Sequence, residues 1–166
     1  MRAFMVVLSA VLMLLVAGVC VGGEEVEEAS ALKVGQMAPA FGGTWVTTDG
    51  KTPQLTGRVY LVDFWFEQCT ACVAGMPAVK DLGSKYESKG LVVIGPSTDN
   101  EVRVKKFRQM RGFDYPMLAK ANESVKNWQI KFFPALFLVD KTGKIIWKGE
   151  EKNAELVLLI EAALAK

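Results

Sequence analysis

Apolar positions along this chain follow two rhythms. Residues 59–65, Val59-Tyr60-Leu61-Val62-Asp63-Phe64-Trp65, and residues 91–94, Leu91-Val92-Val93-Ile94, are short continuous apolar runs rich in β-branched and aromatic side chains. That is the pattern of strands buried on both faces. Residues 70–89 repeat instead at three and four, with Val73, Met76, Val79, Leu82 and Tyr86 on one stripe interrupted at Pro77, which predicts a helix. Helices are also predicted over 100–111, which is basic and amphipathic, over 124–129, which is short, and over 154–165 at the end of the chain. Residues 135–140 and 144–148 predict two strands joined by the turn Lys141-Thr142-Gly143. Residues 45–48 and 54–55 flank Asp49-Gly50-Lys51 and predict an N-terminal β-hairpin, because Asp-Gly supplies the positive φ angles of a tight turn. Strands alternating with helices and ending in a hairpin and a helix predict an α/β fold, a central mixed β-sheet flanked by helices.

The N-terminal apolar run stands apart from this domain. Arg2 precedes a stretch from Met5 to Cys20 that is apolar except for Ser9 and Gly18. At about 16 residues it is slightly long for a signal-peptide core and short of the roughly 20 that span a bilayer. Residues 1–23 therefore read as a signal peptide or an N-terminal anchor, with Ala17, Gly18, Gly22 and Gly23 favouring cleavage near 19–23. Ala17-Gly18-Val19-Cys20 loosely resembles a bacterial lipobox, so lipidation at Cys20 is the alternative to simple cleavage. Residues 24–33, with Glu24, Glu25, Glu27 and Glu28, read as an acidic linker, and 34–166 as one domain. Export implies a periplasmic or other extracytoplasmic location, where disulfides persist.

Composition then narrows the chemistry. Twenty Lys+Arg against 18 Asp+Glu give a net charge of +2, which offers no basis for nucleic-acid binding. Arg103, Lys105, Lys106, Arg108 and Arg111 read as the wet face of their helix. The chain has no His, which excludes Ser-His and Cys-His couples and any His-ligated metal. Its three cysteines are Cys20, Cys69 and Cys72, and a zinc site built on the last two would lack two ligands. No metal and no cofactor is expected. A Cys-x-x-Cys placed between a buried strand and a helix leaves a structural disulfide or a redox dithiol. Helix-end amides and the macrodipole would stabilise a thiolate on Cys69, predicted as the exposed nucleophile. Cys72, one turn further in, would be more buried and would resolve the mixed disulfide.

The run Val62-Asp63-Phe64-Trp65-x-Glu67-x-Cys69-x-x-Cys72, with Pro77 five residues on, resembles thioredoxin at its active site, and residues 34–166 resemble the TlpA/ResA family of exported thioredoxin-like proteins. The resemblance implies a thioredoxin fold and thiol-disulfide exchange. It also implies that Asp63 is the buried aspartate of thioredoxins. A carboxyl inside an apolar strand has its charged form disfavoured and can take a proton from Cys72 through water. Phe133-Pro134 matches the family's cis-proline loop, whose backbone pairs with substrate, and Trp65 matches a tryptophan lining the groove. Gly149 resembles the glycine that keeps that groove open. Phe133 stands where the family usually has a small residue or Thr before the proline, and Phe132 precedes it; the pair reads either as an apolar rim or as core. Gly75 stands where members dedicated to cytochrome maturation carry an acid, and Thr70-Ala71 places neither imidazole nor cation between the cysteines. A less extreme thiolate and a reducing to intermediate potential follow.

The leading reading is a protein-disulfide reductase acting on disulfide-containing protein substrates and recharged by a membrane or exported electron donor, with residues 1–23 as a possible tether. Two alternatives belong to other classes. The stretch Val92-Val93-Ile94-Gly95-Pro96-Ser97-Thr98-Asp99 looks like the strand-loop of peroxiredoxins, yet their Pro-x-x-x-Thr-x-x-Cys motif would need Pro and Thr where Val62 and Phe66 stand. The other alternative is a folding aid or binding module that uses the apolar groove, with redox chemistry secondary.

Overall fold

A computed structural model describes residues 28–149 and 154–166; the N-terminal segment 1–23 and most of the acidic stretch lie outside the described residues. Six strands, β1 (Thr44–Val46), β2 (Val59–Phe64), β3 (Leu91–Pro96), β4 (Met117–Ala119), β5 (Ala135–Val139) and β6 (Ile145–Gly149), form one sheet in the order β1-β4-β3-β2-β5-β6. β2, β3 and β4 run parallel, while β5, β6 and β1 run antiparallel to their neighbours. The sheet is mixed, as the alternation of patterns predicts. The helices are α1 (Thr70–Tyr86), α2 (Glu101–Arg111), α3 (Asn122–Asn127) and α4 (Ala154–Leu164), and a 3-10 turn, Glu87–Lys89, follows α1.

β2 lies in the middle of the sheet, and all six of its residues are buried. Its alternation sorts two cores. Val59, Leu61 and Trp65 face a core filled by Met76 and Val79 of α1, Val104 and Phe107 of α2, and Leu156 and Ile160 of α4. Tyr60, Val62 and Phe64 face the other core, with Trp128, Phe137 and Ile145. Consecutive parallel crossovers through α1 and α2 place both helices on one face, as right-handed connections require. The α1 stripe is as predicted, with Val73 and Leu82 half-buried beside fully buried Met76, Val79 and Tyr86, and the helix runs through Pro77.

The predicted N-terminal hairpin does not form. The chain does turn at Asp49-Gly50, where Gly50 has φ 72° and the Asp49 carboxylate accepts from the Lys51 amide at 3.1 Å. Residues 51–55 then return without strand structure. Pro53 has no amide to donate, and most of this arm is exposed, so little favours pairing. β1 pairs with β4 instead, Trp45 opposite Leu118. The Arg108 guanidinium holds the arrangement by donating to Thr48 Oγ1 at 2.6 Å and to the Asp114 carbonyl at 2.7 Å. Arg108 is thus a brace; the other cations of α2 are exposed as predicted.

The packed domain also begins earlier than Val34. Ser30 and Leu32, assigned to the end of the linker, are buried, and the Ser30 hydroxyl donates to the Trp128 carbonyl at 2.7 Å. Lys148 Nζ donates to the carbonyls of Ser30 and Leu32 and pairs with Glu28, so this end of the linker is fastened to β6.

Burial of tyrosine gives the fold an alkaline limit. The Tyr60 hydroxyl is pushed up to about 12 by burial, with the Asp140 charge adding to the shift. In the unfolded chain it ionises near 10, so the stability it contributes is complete below about pH 10 and lost as the pH climbs towards 12. Urea unfolding midpoints should fall over that interval, and Tyr60→Phe should flatten the fall; an unchanged slope in the variant would refute the assignment.

Candidate active site

The site grows out of the exit from β2. The Cys69 amide donates to the Phe66 carbonyl at 3.0 Å, which closes the loop and delivers Cys69 to the N-cap of α1. There the Cys69 sulfur accepts from the Cys72 amide at 3.2 Å, and the two cysteines are joined as a disulfide. No acidic residue occupies the first turn of α1, so the positive end of the helix acts on the sulfur uncompensated by a local carboxylate. Cys69 is 9% exposed and Cys72 2%. The predicted ranking is correct, but Cys69 is less open than expected: its sulfur folds back over the helix amides.

Asp63 is 2% exposed and lies on the same side of β2 as Leu61 and Trp65, the side that packs under α1. The buried carboxyl and the dithiol therefore share one core. Phe133-Pro134 is a cis peptide bond just before β5, the strand that pairs with β2. The Phe133 ring meets Phe66 edge-on at 5.3 Å, joining the proline loop to the turn that carries Cys69. Phe132 is 47% exposed and forms an apolar rim, whereas Phe133 and Pro134 are half-buried and the Phe133 ring packs against both cores.

Two expectations are corrected. Trp65 does not line a groove: it is fully buried, donates from Nε1 to the Gly95 carbonyl at 3.1 Å and packs on Phe107 at 4.6 Å. It is a wall beneath the site. Gly149 is paired with Leu136 at the end of β6, where a Cβ would run into the Trp147 ring, so its missing side chain makes room for that indole.

Sequence reasoning missed Asp99. From the loop after β3, its carboxylate accepts from the Glu67 amide at 2.6 Å and from the Ser97 hydroxyl at 3.2 Å, and it pairs with Arg103. This acid pins the loop that carries Gln68 and Cys69. The signal was present in the peroxiredoxin-like stretch that Asp99 ends, but its partner, a backbone amide 32 residues away, has no sequence mark.

This arrangement can be set beside known proteins. The AhpC/TSA family matches residues 34–148. The chain belongs to that family. It is 32% identical over 134 residues to the thiol-disulfide oxidoreductase ResA of Bacillus thuringiensis, covering 75% of each chain. The thioredoxin domain of a thiol-disulfide oxidoreductase from Bacteroides vulgatus superposes with a TM-score of 0.66 at 27% identity, over 80% of this chain and 98% of that one. A thiol:disulfide interchange protein from a Bacteroides species gives 0.66 at 28%, over 81% and 92%. Within the AhpC/TSA family this member has the thioredoxin fold, a Cys69–Cys72 disulfide and no peroxidatic Pro and Thr at 62 and 66. It is a thiol-disulfide oxidoreductase.

Proposed function

We propose that the protein reduces protein disulfides outside the cytoplasm, with Cys69 as nucleophile, Cys72 as resolving thiol and Asp63 as the base that serves Cys72. The observation that carries this reading is the Cys69–Cys72 disulfide at the start of α1 over a buried carboxyl. In the reduced protein the Cys69 thiolate attacks one sulfur of a substrate disulfide, forming a mixed disulfide and releasing the other sulfur as a thiolate. Cys72 then gives its proton to Asp63 through water and attacks Cys69 Sγ. The Cys69–Cys72 bond forms, the substrate leaves with two reduced sulfurs, and two electrons have passed from protein to substrate. A membrane-bound or exported donor returns them.

Several features support the reducing direction and the substrate class. Thr70-Ala71 adds no cation or imidazole to stabilise the Cys69 thiolate, so the disulfide form is not driven to act as a strong oxidant. The backbone at Phe133 lies beside the cis Pro134, where an extended substrate segment can pair with it, and exposed Phe132 favours apolar side chains in that segment. Residues 1–23 support export or tethering. Among the described residues no helix is long and apolar enough to cross a membrane.

Equilibration with a dithiothreitol series tests the direction. A reduction potential near that of thioredoxin, about −270 mV, is expected, and one near about −120 mV would reverse the electron flow. Asp63→Asn should slow the resolving step at neutral pH by about a hundredfold while the fold is retained, and unchanged turnover would remove Asp63 from the mechanism.

A further inference from the structure

Tyr115 is 7% exposed, and its hydroxyl has no hydrogen-bond partner among the described residues. A buried hydroxyl left so costs stability without return. The register of the sheet shows where it lies. Val62 pairs with Ile94 and Trp65 with Ser97, which sets Gly95 of β3 directly across from Asp63 of β2. Cβ atoms at such positions are about 5 Å apart, but Gly95 has none. The edge of the Tyr115 ring occupies that place: a Cβ on Gly95 would come within 3.1 Å of Tyr115 Cε2, the atom next to the hydroxyl-bearing carbon. Trp65 Nε1 closes the other side of the same gap, 3.0 Å from that point, and is already spent on the Gly95 carbonyl. The glycine thus admits a phenol to the neighbourhood of the buried carboxyl.

We propose that Tyr115 is a positioning residue for the resolving step, its hydroxyl donating through a bridging water to the Asp63 carboxylate so that Asp63 is ionised and aimed when Cys72 must lose its proton. The inference rests on Asp63 being the base. A bridging water is required because no direct bond to the phenol exists in the oxidised form. Burial, then the charges of Asp63 and Asp114, hold the phenol well above its ordinary value, so it remains a donor throughout the working range. The proton that leaves Cys72 ends on Asp63; Tyr115 keeps its own. Besides Asp63 on β2, the charged groups around Tyr115 are Asp114 beside it, Arg108 of α2, whose Nε donates to the Tyr115 carbonyl, and Lys80, Glu87 and Arg58, which line with it a cavity of about 280 Å³.

The test is stopped-flow oxidation of the reduced full chain by a disulfide peptide from about pH 5 to 9, which separates resolution from the first attack. Tyr115→Phe keeps the ring and removes only the donor. The acid limb of the resolving rate should move up by about 1 pH unit, slowing resolution about tenfold below the limb, while thermal unfolding of the oxidised form is unchanged or raised. In an Asp63→Asn background the same change should have no further effect. Incorporating 3-fluorotyrosine at 115, a stronger donor of nearly the same shape, should move the limb the other way. A wild-type profile for Tyr115→Phe beside a shifted one for Asp63→Asn overturns the role of Tyr115 and leaves the base in place. A wild-type profile for Asp63→Asn overturns the base and this inference with it. A pH-independent loss of rate with lowered thermal stability, or an equal effect in the Asp63→Asn background, assigns Tyr115 a structural role and overturns the inference.

Discussion

Cys69→Ser should reduce insulin-disulfide cleavage by the reduced protein to the uncatalysed background, whereas Cys72→Ser should block turnover but accumulate a mixed disulfide with the substrate. The asymmetry follows from the positions of the two sulfurs. Cys69 caps α1 and is the more exposed, so in the proposed mechanism its thiolate would meet the incoming disulfide and gain from the helix amides. Serine there has a far less acidic and less nucleophilic oxygen, and Cys72 at 2% exposure cannot reach the substrate in its place. With Cys72 replaced, the first attack proceeds and nothing inside the molecule displaces the substrate. Non-reducing electrophoresis and mass spectrometry of the adduct check the pair. Full activity of Cys69→Ser would refute the redox mechanism and favour a folding aid working through the apolar rim.

The largest effect on stability is expected far from the dithiol. Trp128→Ala should cost about 3–5 kcal/mol, a large share of the roughly 5–15 kcal/mol that holds a domain of this size together. Trp128 is fully buried at the end of α3, stacked on Phe41 at 5.2 Å and packed against Phe64 at 5.5 Å and Phe137 at 5.1 Å. Its carbonyl also accepts the Ser30 hydroxyl, so the ring and its backbone tie the N-terminal segment to the sheet. Alanine would leave a cavity among rigid aromatic neighbours that cannot collapse into it. Because Trp128 Nε1 has no hydrogen-bond partner among the described residues, Trp128→Phe loses volume but no bond and should cost far less. Urea unfolding of both variants checks this, and a cost under about 1 kcal/mol for alanine would show that the cluster is not a keystone.

Most of the fold was legible along the chain. The buried strands, the stripe of α1 and the closing hairpin and helix all carry strong periodic signals, and the structure differs from them by one to three residues at the ends, most at α1, where 87–89 tighten into a 3-10 turn. β4 was invisible, since Met117–Ala119 is three residues long and follows Pro116, too short for any period to register. The same strand explains the failed hairpin. Local turn chemistry at Asp49-Gly50 is real, but Trp45 and Val46 find partners in β4, a choice that depends on a strand some 70 residues away.

At the site, motif and neighbourhood separate. The spacing of Cys69 and Cys72 at a strand-to-helix junction and the lone acid in β2 were readable as irregularities within an otherwise regular local pattern, while the Phe133-Pro134 pair was readable through the resemblance to the thioredoxin-like family. Trp65 was misread because a tryptophan beside a motif looks the same in sequence whether its ring turns towards solvent or into a core. Asp99 sits at the end of a readable stretch, but its partner amide carries no mark, and Tyr115 carries none at all.

The absence of His, the Cys-x-x-Cys and the strand-helix alternation narrowed the chemistry to a structural disulfide or a redox dithiol on a mixed α/β sheet, because excluding imidazole and placing two thiols on one helical turn are properties of the chain itself; the thioredoxin fold and thiol-disulfide exchange came from the resemblance carried by residues 62–77. Only the tertiary structure decided which groups surround those thiols. Gly95 lies opposite Asp63 through strand register, and Tyr115 fills the space that glycine leaves; Asp99 reaches a loop 32 residues before it. Such neighbours are set by pairing and packing between distant segments, and no local period encodes them.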